Sequence, residues 1–189
     1  MTVYEKMEDC LAGQNIAAHS QDGNWRVRYA AAIAIGESRD PKWEPTLESM
    51  LAHEDTRPLY AQPPALFPGK PVDQTRMAEH IGPIEAVFDR EYDERTLEAW
   101  RCRGRVKQAI LYALYDIGTA SESFISRLHA YLDEANEDFC VIAAAARALG
   151  KLGSQQSLDY LEKILSIDEW CTTTEARKSI EKLRQHEKG

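Results

Sequence analysis

One apolar pattern recurs at three places in this chain and leaves little choice of fold. From Val141, apolar residues fall at steps of three, four, seven and eight (Val141, Ala144, Ala145, Ala148, Leu149), which trace one face of a 3.6-residue helix. The same steps from Val27 give Val27, Ala30, Ala31, Ala34 and Ile35, and from Val106 they give Val106, Ala109, Ile110, Ala113 and Leu114. A basic residue follows the valine in two copies (Arg28, Lys107), and a glycine stands nine positions after it in two (Gly36, Gly150). Side chains matched in size as well as polarity mark an internal repeat.

Each copy carries a second apolar helix further on: Leu47, Met50 and Leu51 in the first, Leu128, Tyr131 and Leu132 in the second, Leu161, Ile164 and Leu165 in the third. Helix, turn, helix is therefore the unit. These residues resemble the HEAT-like repeats of the bacterial group best known for its phycobilisome lyases, whose pattern runs Asp-x-x-Val-Arg-x-Ala-Ala-x-Ala-Leu-Gly. The resemblance covers residues 22–55 and 105–168. It implies an all-α, armadillo-like fold, a right-handed α-α superhelix of about three repeats with one long insertion. It is specific for fold and weak for activity, because such solenoids mostly serve as binding surfaces and only a minority of relatives do chemistry.

The whole chain reads as a single domain. Residues 1–21 form an N-terminal cap, 22–55 repeat one, 56–104 a proline-rich insertion, 105–137 repeat two, 138–168 repeat three and 169–189 a C-terminal cap. The first helix of repeat one is expected from about Trp25 to Gly36 and its second from Pro41 to His53, with Pro41 and Pro45 near the start, where missing amide donors cost least. A longer helix runs through Gly104 to about Asp116, followed by one from Ser121 to Glu134. In repeat three, Gly150 and Gly153 close the first helix, and Gln155 to Ser166 makes the second. Ala176, Ile180 and Leu183 mark a single terminal helix.

Charge and composition narrow the partners. The chain has 189 residues, 43% of them apolar and 29% charged, as an ordinary folded domain has. Its net charge of −8, from 31 acidic and 23 basic residues, repels phosphate backbones, so nucleic acid is not the expected partner. The one basic concentration, Arg95, Arg101, Arg103, Arg105 and Lys107, is interleaved with Glu94 and Glu98. The N-terminal MTVYEKMEDC lacks a signal pattern and no stretch is long enough to span a membrane, so a cytoplasmic protein is expected. Cys10, Cys102, Cys140 and Cys171 lie far apart, and three of them sit in or beside apolar patterns that suit reduced core or near-core thiols.

Candidate chemistry comes from the resemblance. Deoxyhypusine hydroxylase, a HEAT-like enzyme, binds a di-iron centre through His-Glu pairs, and His53-Glu54 and His186-Glu187 are such pairs. The family's pattern implies more of them, and His53-Glu54 is equally the polar end of a helix. Trp25, Trp43, Trp100, Tyr112, Tyr115, Tyr160 and Trp170 include rings that could stack on a tetrapyrrole, as in a lyase, yet aromatics at helical spacing usually serve packing. No catalytic residue, no metal ligand and no cofactor is assigned. Asp133, Glu134, Glu137 and Asp138 read as a solvated cluster at a turn. Arg28 reads as structural, paired with Asp22 or Asp55.

The expected function is thus a non-catalytic scaffold or adaptor that binds another protein. The alternative is a lyase-type or hydroxylase-type enzyme subunit acting on a cofactor or a modified side chain. The expected binding surface is lined by the second helices, with Glu44, Glu48, Arg127, Asp159 and Glu162 exposed, a mostly acidic set suited to a basic partner. The insertion adds Tyr60, Leu66 and Phe67, and it holds six of the eight prolines. Its first half cannot be regular helix, yet it is too apolar to leave in water. Helical character returns at residues 73–80 and 84–91. The insertion packs either on its own repeats or on a second copy, which would make a homodimer. Replacing residues 58–71 by a short Gly/Ser linker is expected to abolish partner capture or shift the oligomeric state by light scattering. A folded variant unchanged in both would leave the segment no functional role.

Overall fold

In the computed structural model, the described residues are 1–55, 94–133, 139–167 and 169–186, and all their regular structure is helical. The helices are α1 (Val3–Leu11), α2 (Ile16–His19), α3 (Trp25–Ser38), α4 (Glu44–Asp55), α5 (Glu94–Ile117), α6 (Glu122–Asp133), α7 (Phe139–Leu152), α8 (Ser157–Lys163) and α9 (Trp170–His186). Short 3₁₀ turns, Pro41–Trp43 and Ile164–Ser166, precede α4 and follow α8. The short helices expected at residues 73–80 and 84–91, and the candidates Tyr60, Leu66 and Phe67, lie outside the described residues. Among the described residues, no helix is long and apolar enough to cross a membrane.

The helix boundaries follow local chemistry. Thr2 and Glu5 form a capping box: the Thr2 hydroxyl accepts from the Glu5 amide at 3.2 Å, and the Glu5 carboxylate accepts from the Thr2 amide at 2.6 Å. The Asn24 side chain caps α3 by accepting from the Arg26 amide at 2.9 Å. Gly118 ends α5 with φ of +84°, the left-handed turn in which a Cβ would be strained. Glu169 opens α9, its carboxylate accepting from the Cys171 and Thr172 amides at 2.9 and 2.6 Å.

The first helices form one row in which α1 packs on α3, α3 on α5, α5 on α7 and α7 on α9. The second helices cover them, α4 on α5 and α6 on α7, while α8 lies between α6 and α9. Every residue of the recurring stripe is buried, from Val27 through Val106 and Val141 to Leu149, in one continuous core. A buried leucine or isoleucine contributes about 1.5–3 kcal/mol, so a stack of such faces holds only as a whole. In α7 the burial extends nearly all round, because α5, α6 and α9 enclose it; from Val141 to Gly150 only Arg147 is exposed. This explains the alanine run: a helix flanked on three sides has no room for larger side chains.

Gly153 follows the end of α7 as expected, its amide donating to the Leu149 carbonyl at 2.8 Å, but Gly36 and Gly150 do not end helices. Gly36 and Gly150 lie within α3 and α7, at points of closest approach to the next helix. A Cβ on Gly36 would stand 3.0 Å from the Ala113 Cα, and one on Gly150 2.8 Å from the Ser179 Cα. The neighbouring backbone, rather than a need for unusual dihedrals, requires glycine there. The cysteines also differ from expectation: Cys10 is buried, but Cys140 and Cys171 are exposed, since they fall on the side of α7 and α9 away from the stripe.

Ion pairs tie the two helices of repeat one together and join it to repeat two. Arg28 Nε donates to Glu54 at 2.5 Å, with the two side chains 1% and 0% exposed, and Arg28 Nη1 donates to the Asp22 main-chain carbonyl at 2.7 Å. The partner of Arg28 is thus Glu54 rather than the Asp22 or Asp55 carboxylate. Asp22 instead takes Lys6 at 2.5 Å and the Asn24 amide at 2.8 Å. Asp55, next to Glu54, receives Lys107 at 2.5 Å, Arg127 at 2.8 Å and the Tyr131 hydroxyl at 2.7 Å. Lys107 is wholly buried and also lies over the Tyr131 ring, 4.8 Å from its centre. Burial pushes the Glu54 carboxyl above its ordinary range while the Arg28 guanidinium opposes the rise. Desolvation therefore opposes the attraction, and the pair is expected to fix the register of α3 on α4 more than to add net stability.

Two stability measurements check this account. Gly150→Ala is expected to lose about 1–3 kcal/mol in urea denaturation through overpacking, even though alanine favours a helix by about 1 kcal/mol. Gly23→Ala, where a Cβ meets nothing within 4 Å, serves as the neutral control. A Gly150→Ala variant as stable as wild type would show that α7 and α9 are not in close contact. Arg28→Ala is expected to cost about 3–5 kcal/mol, while Arg28→Met with Glu54→Leu recovers most of it. A double variant no more stable than Arg28→Ala would make the ion pair itself a net stabiliser.

Candidate functional site

The charged residues expected on the second-helix surface are largely engaged within the fold. Glu44 accepts from the Ser121 amide at 2.5 Å and Glu48 from the Ser123 hydroxyl at 2.8 Å, which places two carboxylates from α4 at the N-terminal end of α6. The positive end of that helix favours them there. Arg127 is held by Asp55. All three are half-buried rather than exposed, because each bridges two neighbouring second helices. Asp159 and Glu162, on α8, are exposed. Glu162 pairs with Arg184 at 2.7 Å on the wall of a shallow groove of about 610 Å³ that also includes Leu165, Arg177 and Ile180.

One pairing of catalytic residue types was not foreseen. His129 Nε2 lies 2.9 Å from the Ser157 hydroxyl, and the His129 ring stacks on Tyr160 with centres 4.1 Å apart. Burial lowers the pKa of His129, which keeps it a neutral hydrogen-bond partner. Ser157 is 0% exposed, however, so no substrate carbonyl can approach its oxygen. The pair joins α6 to the start of α8. Its residues are 28 apart in sequence, and no local spacing signals such a contact.

The His53-Glu54 pair is divided in a similar way, its glutamate being turned inward to Arg28. The side chains of His186-Glu187 lie outside the described residues. Among the described residues, no three His, Cys, Asp or Glu side chains gather around one point. Of the aromatic candidates, Trp25, Trp43 and Tyr160 pack against the core, while Trp170 and Tyr112 are exposed. Trp100 lies outside the described side chains.

A different arrangement forms on the row of first helices, around Tyr115. Arg147 stands 4.8 Å from the centre of its ring, Lys151 4.5 Å and Lys182 5.9 Å. Arg147 also lies 5.5 Å from the ring centre of the neighbouring Tyr112, whose hydroxyl accepts from Gln108 at 3.3 Å. Tyr112 and Tyr115 come from α5, Arg147 and Lys151 from α7 and Lys182 from α9. The Lys151 ammonium donates to the Tyr115 main-chain carbonyl, where the negative end of α5 favours a cation. Among the described residues, none of these three cations forms an ion pair. The carboxylate that follows Tyr115 in sequence, Asp116, has an oxygen on the Gly36 side.

A cation over an exposed aromatic ring gains about 0.5–1 kcal/mol, which the mutual repulsion of like charges reduces. An arriving carboxylate would be attracted by all three cations at once. The signal for the site lies in the repeat: counting nine positions from the valine reaches Gly36 in repeat one, Gly150 in repeat three and Tyr115 in repeat two. Where two copies need no side chain, the third supplies a ring.

Comparison with known proteins supports the repeat reading. A family model described as PBS lyase HEAT-like repeat matches residues 27–53 and 141–166. No curated protein and no solved structure matches the chain. The two matches fall on repeats one and three, α3 with α4 and α7 with α8, and repeat two departs from the pattern at Tyr115. With its stripe wholly buried, its first helices in one row and two stretches that match the repeat, the chain is a HEAT-like repeat protein.

Proposed function

We propose that this protein is a non-catalytic cytoplasmic module that binds another protein through the exposed face of its first helices. The observation that carries this reading is the division of polar groups between the two faces. On the second helices, Glu44, Glu48 and Arg127 are occupied by contacts between neighbours. On the first helices, Tyr29, Tyr112, Arg147 and Lys182 are exposed on a stack held rigid by a continuous core. A rigid array with aromatic rings and cations on its surface suits protein recognition, because the rings contribute large contact area at low entropic cost and the cations add charge complementarity.

Affinity purification from the cells that make the protein tests this reading. Wild type is expected to retain one partner protein in near-stoichiometric amount, identified by mass spectrometry, and Ala145→Glu, with a charge forced into a wholly buried position, is expected to lose it. Stoichiometric iron or a visible chromophore on the purified protein would replace this reading with that of a hydroxylase-type or lyase-type subunit.

A further inference from the structure

We infer that the cations around Tyr115 form a docking site for an acidic protein segment, an inference that rests on the protein-binding reading and names the chemistry of its partner. In a chain of net charge −8, three cations from two helices converge on one ring, and among the described residues no carboxylate pairs with them. The surrounding burial makes Arg147 the more telling member. It is the single exposed residue between Val141 and Gly150, so its charged end faces solvent where the rest of that stretch is buried.

The ring holds the cations in place. Tyr115 occupies the position that is glycine in the other two repeats, and it is half-buried beneath Arg147, Lys151 and Lys182. Lys151 is tied to the main-chain carbonyl of Tyr115, which fixes one ammonium at the end of α5. Arg147 lies over both Tyr112 and Tyr115, two rings that favour its guanidinium at that position. Ordering before binding lowers the entropic cost of recruiting a flexible ligand. A guanidinium beside two ammonium groups matches successive carboxylates along an Asp/Glu-rich segment, with the Arg147 fork able to take one of them through two hydrogen bonds.

The same geometry disfavours nucleic acid. Single-stranded nucleic acid binds by stacking bases on open aromatic faces, and the Tyr115 ring is already covered by cations. The overall negative charge also opposes a long phosphate backbone, whereas a short acidic segment meets only the local field.

Fluorescence anisotropy with a labelled Glu/Asp-rich peptide and a single-stranded oligonucleotide of equal charge tests the site at low salt. The variant Arg147→Glu with Lys182→Glu is compared with Lys163→Glu with Arg184→Glu, which changes net charge equally on exposed residues outside the cluster. Unchanged circular dichroism and melting temperature establish that both are folded. Peptide affinity is expected to fall about tenfold or more in the first variant and to change little in the second. Equal loss in both would reduce the effect to net charge and overturn the site, as would tighter binding of the oligonucleotide than of the peptide. If the Arg147→Glu, Lys182→Glu protein still captures the wild-type partner from its own cells, the site falls while the binding module stands. If wild type captures no partner, the broader reading fails.

Discussion

Two carboxylates stand side by side at the C-terminal end of α4, where the helix dipole disfavours negative charge, and what neutralises them joins the first two repeats. Glu54 takes Arg28 from α3, and Asp55 takes Lys107 from α5 together with Arg127 and Tyr131 from α6. Four helices therefore meet at two adjacent residues. The apolar stripes alone would allow the helices some freedom to slide, since hydrophobic contact is not directional. The ion pairs restrict it, because a slip of one turn would leave the buried Arg28, Glu54 or Lys107 charge without its partner. The basic residue that follows the valine in repeats one and two is the near half of this joint, and in repeat three the position is Ile142, which is buried in the core without a charge to place.

The glycine position supplies a second constraint, acting between neighbouring first helices. Gly36 faces Ala113 and Gly150 faces Ser179, each so close that a methyl group would meet backbone. At the intervening contact, between α5 and α7, the corresponding residue is Tyr115, and the cations of α7 and α9 lie over its ring. A repeat protein can afford such a departure in an interior copy, since the copies on either side continue to bury the stripe.

Much of the fold was legible in the sequence because its causes are local and periodic. The stripe at Val27, Val106 and Val141 located the buried face of three first helices, and Leu47, Leu128 and Leu161 located that of the second. Joints between helices were less legible. That Arg28 is structural followed from its repeat position, but its partner Glu54 is 26 residues away, on the far side of the turn, and Asp22 and Asp55 were equally plausible acids. Glu44 and Glu48 looked like surface charges because helical spacing places them away from the stripe, yet α6 lies over that side and uses both. Gly150 resembled a helix end only because a glycine within a helix costs stability unless another helix requires it. The cluster at Tyr115 could not be read by spacing at all: its cations come from α7 and α9, and only the stacking order of first helices brings them together.

Charge on this molecule is thus divided into two kinds by the geometry of the stack. Side chains along the junction of α4, α5 and α6 face another helix of the same protein, and their charges are neutralised there. Those on the outer side of α7 and α9 face solvent, because among the described residues no second helix covers that side, and between Val141 and Gly150 the close packing of α7 leaves only Arg147 exposed. Net charge does not reveal such a division. A chain with 31 acidic and 23 basic residues would be expected to attract basic partners, but Glu44, Glu48, Glu54 and Asp55 are engaged within the fold. Around Tyr115 the charge that no carboxylate takes up among the described residues is positive.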